Sequence, residues 1–321
     1  MLNIQKNIPL APYTSFKIGG EAKYFCEVSS EEEIIEALNY AKKNNLEVFV
    51  LGGGSNVLVS DEGFDGLVIR IIASNFGAQL RNSELSSGSR IECWAGDSLS
   101  EAVRFSENNF LTGLEWAAGI PGSVGGAIRG NAGAFGSDMG KITESVKVIK
   151  MTNQCQNINV KIFNNKDCKF DYRNSVFKEN KNFIILSCVF KLQKGEKTEI
   201  ENKIKEIIIK RTEKQPQGLS SAGSFFQNPV VENQELIKRF EKDAGVKCKD
   251  NKIPAAWLIE EAGLKGKRIG GTMVSEKHAN FVINTGGAKA QEVVMLASLI
   301  KQKVRDEFGV ELKEEVQYVV F

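Results

Sequence analysis

The sequence predicts an α+β protein of more than one domain, and three observations carry that prediction. At 321 residues the chain is longer than one simple hydrophobic core usually organises. Helix-periodic stretches alternate along it with short apolar runs suited to strands. Two glycine-rich segments interrupt this alternation, GGGSN at Gly52–Asn56 and GIPGSVGG at Gly119–Gly126. Composition is globular, 42% hydrophobic and 26% charged. A formal charge of +2 offers no electrostatic footprint for nucleic acid. No apolar run approaches the roughly 18 residues needed to span a bilayer, so membrane insertion is not expected. The opening MLNIQKNIPLAP has no apolar stretch of a secretory signal.

Element by element, residues 29–45 read as a helix. Ser30 and Glu33 form a capping box, and Ile34, Leu38 and Ala41 share a face. Strands are expected at Glu47–Leu51 and Val57–Ser60, flanking GGGSN, and at Leu67–Ile72. Residues 91–96 look extended, after which Ser98 and Glu101 cap a helix to about Asn108. Residues 113–140 hold nine of the 30 glycines. Alternation at 145–151, 158–163 and 183–192 predicts antiparallel strands. A helix from about Glu199 to Thr212 ends before Pro216, a candidate boundary. Helices follow near 233–243 and 254–262, then a strand at Asn280–Ile283. A long helix from Ala290 to Phe308 is stopped by Gly309, and the chain closes on a strand, Glu315–Phe321.

Residue counts narrow the chemistry. Six cysteines (26, 93, 155, 168, 188, 248) are scattered with no CxxC pair, which suits reduced thiols and a cytoplasmic location better than disulfides or zinc. The single histidine, His278, excludes a His-rich metal centre, and no metal is expected. In SEKHANFVI it reads as a packing residue. Trp94, Trp116 and Trp257 read as core, although Trp116 lies close to a glycine loop. The chemistry therefore falls to Arg, Lys, Glu, Asp, Ser, Tyr, Cys or a bound cofactor.

Glycine permits backbone N–H groups to converge on an anion, because it lacks Cβ and reaches positive φ cheaply. GGGSN lies between strands, lacks the GK[ST] ending of a P-loop, and has no helix directly after it as a Rossmann turn would. Either segment alone could be only a tight turn. Two together, in a stretch nearly free of charge, point to a dinucleotide diphosphate.

YTSFKIGG (13–20), LGGGSNVLVSD (51–61) and GIPGSVGGAIRGNAGAFG (119–136) resemble the UDP-N-acetylenolpyruvoylglucosamine reductase family. YRNSVFK (172–178), AGSFFQNP (222–229), AAWLIEEAGLKG (255–266) and EEVQYV (314–319) extend the resemblance over essentially the whole chain. It implies an FAD-binding fold of the vanillyl-alcohol-oxidase (PCMH) type, made of two α+β subdomains, and a separate α+β substrate-binding domain. The implied stretches are 1–73 and 74–213 for the subdomains and 214–311 for the substrate domain, with 312–321 returning to the first. Non-covalent FAD would rest on Gly52, Gly53, Gly54, Ser55 and Asn56. The second segment would add Gly119, Ile120, Pro121, Gly122, Ser123, Gly125 and Gly126.

The resemblance further implies an NADPH-dependent, cytoplasmic, monomeric enzyme of peptidoglycan precursor synthesis. It would reduce UDP-N-acetylglucosamine enolpyruvate to UDP-N-acetylmuramate. Hydride passes from reduced flavin to the vinyl carbon, and a proton from Ser224 completes the reduction. Arg173 and Glu315 take the other catalytic positions, Arg173 for the developing oxyanion and Glu315 as a neutral acid or to orient the carboxylate. Lys214 and Asn228 take those of substrate-diphosphate contacts. Taken singly, an arginine in a turn, a serine after glycine and a glutamate at a strand end are ordinary surface features. Their motif order gives them these roles. Gln227 stands where many members carry a basic residue. The short Arg173–Ser224 interval suggests the family's second type, without the tyrosine-bearing loop that covers substrate in the first.

Overall fold

The run FIILSCVFKLQK folds into the strand Phe183–Lys194, about which one half of the chain is organised. In this computed structural model, residues 2–74, 79–81, 89–152 and 157–321 are described, so Cys155 lies outside the described residues. Alternation predicted a strand at 183–192, yet seven consecutive residues, Ile184–Phe190, are buried. Both faces are covered because the strand is central, which explains its nearly continuous apolar run. It pairs antiparallel with Thr143–Thr152 on one side and Ser89–Trp94 on the other. Asn157–Asn164 and Gln79–Arg81 extend the sheet outward.

The same unit contains a second sheet in the order Gln5–Pro9, Glu21–Val28, Phe64–Ile71, Val48–Leu51. Val48–Leu51 and Phe64–Ile71 run parallel. The helix Glu31–Lys43 buries Ile34, Ala37, Leu38 and Ala41. Its start is half a capping box. Ser30 Oγ accepts the Glu33 N–H, but the Glu33 carboxylate accepts from the Ser29 N–H and hydroxyl. The next helix, Leu99–Asn108, begins at Ser98 as expected, but that hydroxyl caps nothing and bonds Ser100 Oγ instead.

The second unit is built on the antiparallel sheet Ser220–Ser224, Phe281–Asn284, Thr272–Val274, Arg268–Ile269. Helices Gln234–Ala244, Ala255–Glu261 and Ala290–Phe308 pack with it around Phe240, Leu258, Val293, Leu296 and Ile300. Gly309 stops the long helix in the left-handed conformation, φ 66°. The terminal strand is shorter than expected, Gln317–Val319, and pairs parallel with Val57–Val59.

That pairing bears on the domain edges. One compact unit comprises 1–8, 22–54 and 65–213, and the other 9–21, 55–64 and 214–321. The two subdomains expected at 1–73 and 74–213 thus fall largely in one unit. Residues 9–21 and 55–64 cluster with the C-terminal third: Phe16 and Ile18 pack in its core, and 57–59 takes its strand partner from 317–319. Among the described residues no helix is long and apolar enough to cross a membrane.

Candidate functional site

In the first unit the two glycine segments come together. A Cβ on Gly53 would fall 2.6 Å from Gly122 Cα and 2.8 Å from Ser123 N, and one on Gly52 would fall 2.5 Å from Ser123 Oγ. The Gly53 N–H donates to Ser123 Oγ at 3.3 Å. Gly54, Gly119 and Gly122 have φ of 64°, 75° and 116°, values that favour glycine. GGGSN lies between strands Val48–Leu51 and Val57–Val59, as its sequence indicates.

The second segment differs from GGGSN, because a short helix, Val124–Arg129, follows directly with Ser123 as its cap. Its backbone is stitched to the stretch before the Leu99 helix. Val124 N–H donates to Asp97 O, Gly125 N–H to Ala95 O, and Leu99 N–H to Gly122 O. Asp97 is itself buried, which raises its pKa, and holds the Trp94 and Ser74 N–H groups. Gly125 is required by packing, since a Cβ there would meet Ala95 Cβ at 2.8 Å. Trp116 is buried, its indole N–H on Gly113 O.

Arg173 sits in the tight turn Asp171–Asn174, whose end residues exchange backbone hydrogen bonds. Its φ of 54° is left-handed, a conformation that costs a non-glycine residue about 1 kcal/mol. Surrounding contacts hold it there. Arg173 Nη2 donates to Gly133 O at 2.8 Å, its guanidinium lies 5.3 Å from the Tyr172 ring centroid, and Lys178 Nζ donates to Arg173 O.

Sequence reasoning passed over Arg211, which lies beside Arg173. The aliphatic stem of Arg211 runs along Gly119, whose Cβ would sit 3.1 Å from its Cδ. Its guanidinium lies over the Phe135 ring and donates to Trp116 O. Its Nε is buried with no hydrogen-bond partner among the described residues. Burial and then the Arg173 charge lower its pKa. Two like-charged guanidiniums beside a glycine cradle suit an anionic cofactor. The signal available in sequence was its place three residues before Lys214 in RTEKQP.

Ser224 and Glu315 both belong to the second unit, in a different unit from Arg173. Ser224 ends the strand Ser220–Ser224, opposite Phe281, after a register shift and a left-handed Gly223 at φ 74°. The chain then runs between two neighbours. Phe225 N–H donates to Asn280 O, and Glu315 N–H donates to Phe225 O at 2.8 Å. Ser224 and Glu315 are therefore linked through one residue, and both are half-buried rather than solvated. Asn56 belongs here too: its Nδ2 donates to Glu315 O and its carbonyl accepts the Gln317 N–H. Ser55 falls in this unit, whereas Gly54 falls in the first.

Asn228 Oδ1 accepts the Ala255 N–H and so caps the helix Ala255–Glu261. Lys214 is exposed at the end of the helix Lys197–Lys214. His278 lies edge-on to Phe281, and its Nδ1 accepts the Asn280 N–H. Burial lowers its pKa, as a packing residue requires.

Residues 22–158 match a family model described as FAD binding domain. Residues 215–319 match one described as UDP-N-acetylenolpyruvoylglucosamine reductase, C-terminal domain. A relative of that name from Solibacter usitatus is 37% identical, over 99% of this chain and 97% of its own. One from Caldanaerobacter subterraneus is 39% identical, over 98% and 92%. The crystal structure of UDP-N-acetylenolpyruvylglucosamine reductase from Thermus caldophilus is similar over the full length of both chains, with 30% identity and a TM-score of 0.75.

Proposed function

Because the chain belongs to the UDP-N-acetylenolpyruvoylglucosamine reductase family and carries its FAD-binding domain, we propose that it reduces UDP-N-acetylglucosamine enolpyruvate to UDP-N-acetylmuramate, using NADPH. It is a flavin-dependent oxidoreductase, and the reaction would supply peptidoglycan precursor in the cytoplasm. The observation that carries this reading is the link between Ser224 and Glu315 through Phe225.

Gly52–Gly54 and Gly119–Ser123 are the residues we assign to the cofactor diphosphate, with Arg211 supplying positive charge beside Gly119. When bound, FAD supplies a two-electron relay between NADPH and the enol ether. The protein's own task is to manage charge and a proton. As the vinyl group is reduced, negative charge accumulates beside the substrate carboxylate. Arg173 meets it with a planar fork that needs no reorganisation, being fixed by Gly133 O and Tyr172. Ser224 Oγ holds the proton delivered to that carbon, and Glu315 orients the carboxylate. Lys214 and Asn228 serve the substrate diphosphate.

The direct test is to purify the protein, record its flavin spectrum, reduce it anaerobically with NADPH and add the enolpyruvyl substrate. Rapid reoxidation with formation of UDP-N-acetylmuramate is expected. NADPH oxidation that the substrate fails to stimulate would reject the reading. Flavin should appear in the supernatant after denaturation, as it is held without a covalent bond.

Two variants test the charge arrangement. Arg173→Lys keeps the charge but loses the fork, and should slow substrate reduction by about 10²-fold. Arg211→Ala should weaken FAD binding by about tenfold, read as the dissociation constant of the apoprotein by fluorescence quenching. An unchanged dissociation constant would remove Arg211 from the cofactor site.

A further inference from the structure

The stretch Ser224–Gln227 is held by an arrangement that neither the glycine loops nor the three catalytic assignments explain. After Ser224, the regular ladder with Phe281–Asn284 ends. The next peptide groups are buried, with Phe225 and Phe226 each 1% exposed. Buried peptide groups need partners, and an unmet one costs about 1–3 kcal/mol. On one side the partners come from the C-terminal segment. Glu315 N–H donates to Phe225 O, Gln227 N–H donates to Lys313 O, and Phe226 forms a bridge with Glu314.

On the other side they come from one residue. Asn280 O accepts the Phe225 N–H at 2.7 Å. Its side-chain Oδ1 accepts the Phe226 N–H at 2.9 Å, and its Nδ2 donates to Phe226 O at 2.8 Å. The carboxamide thus takes the place of a neighbouring peptide and satisfies both groups of Phe226. Asn280 is 4% exposed, and its own N–H is held by His278 Nδ1. No other neutral side chain of its size offers a donor and an acceptor in one rigid plane.

We propose that Asn280 is a positioning residue for the reaction, one that fixes Ser224 against Glu315 by clamping the peptides between them. This rests on the reading of Ser224 as proton donor. Misplacing a reacting group by about 1 Å costs about 10²-fold in rate, so a clamp two residues from Ser224 should govern the proton step and little else.

The test is stopped-flow measurement of the two half-reactions in Asn280→Ala, with Ser224→Ala beside it. Flavin content and reduction by NADPH should stay within about threefold of wild type. Reoxidation by the enolpyruvyl substrate should slow by about 10²-fold, with a larger solvent deuterium isotope effect as proton delivery becomes limiting. If Asn280→Ala does not fold, Asn280→Asp keeps the shape and the acceptor for Phe226 N–H but loses the donor, and carries the same expectation. A folded variant in which both half-reactions slow equally, or in which reoxidation is unchanged, overturns the proposal. Should Ser224→Ala alone reoxidise normally, the proton-donor reading fails instead.

Discussion

Ser224→Ala should be reduced by NADPH at close to the wild-type rate and then be reoxidised by the enolpyruvyl substrate about 10³–10⁴-fold more slowly. A positioned acid contributes about 10²–10⁴-fold, and the upper end applies where Ser224 holds the proton and Glu315 orients the carboxylate. A serine hydroxyl is a weak acid, but the charge it quenches is a strong base, so the transfer runs downhill. The substitution is clean in structural terms. Ser224 is tied to Phe281 through strand register, and its neighbours are held by main-chain groups and by Asn280. Removing Oγ should therefore leave the thermal midpoint unchanged to within about 0.5 kcal/mol of stability. Normal reoxidation in this variant would sink the assignment and leave Glu315 as the candidate acid.

The outlines of the fold were legible where local signals and tertiary structure agree. Gly309 ended its helix because a left-handed residue was needed there, and Ala290–Phe308 was readable to both ends. Ser30 and Glu33 gave the start of the Glu31 helix, but not that the carboxylate would turn to Ser29. Ser98 marked a helix start without capping it, since its hydroxyl pairs with that of Ser100, two residues on. Pairing across long separations was not legible. Nothing local in VLV at 57–59 says that its partner is QYV at 317–319, and that one parallel pair moves residues 55–64 into the other unit.

The site was legible in the same uneven way. Arg173, Ser224 and Glu315 are candidates by their motifs, and the structure gives each a defined setting: a left-handed arginine braced by Gly133 and Tyr172, and a serine and glutamate joined through Phe225. Arg211 and Asn280 were missed for a shared physical reason. Each acts through contacts with residues at least 54 positions away, Trp116 for one and Phe226 for the other. An arginine on a lysine-rich helix is marked only by its nearness to Lys214 in RTEKQP, and a lone asparagine before a strand carries no local pattern.

Gly53→Val should yield a folded protein that purifies without flavin, its affinity for added FAD lowered by about 10²-fold. The effect is steric rather than conformational, because Gly53 is not among the glycines with positive φ. A Cβ there would stand 2.6 Å from Gly122 Cα, 2.8 Å from Ser123 N and 2.9 Å from Gly122 C. These are main-chain atoms and cannot rotate aside, so the two loops must separate. Overpacking of this kind costs about 1–3 kcal/mol, and at 1.4 kcal/mol per tenfold that is up to about two orders of magnitude if it falls on the cofactor-bound form. It falls there in so far as the apoprotein can relax by letting the loops part, which the bound form cannot. Gly130→Ala is the matched control: its Cβ would meet only Gly126 O, at an ordinary 3.6 Å, and its φ is −87°. That variant should keep its flavin. Far-UV melting of both apoproteins separates a folding defect from a binding defect. If Gly53→Val binds FAD as the wild type does, the close approach of the loops is only a packing feature, and the cofactor diphosphate must lie elsewhere in the first unit.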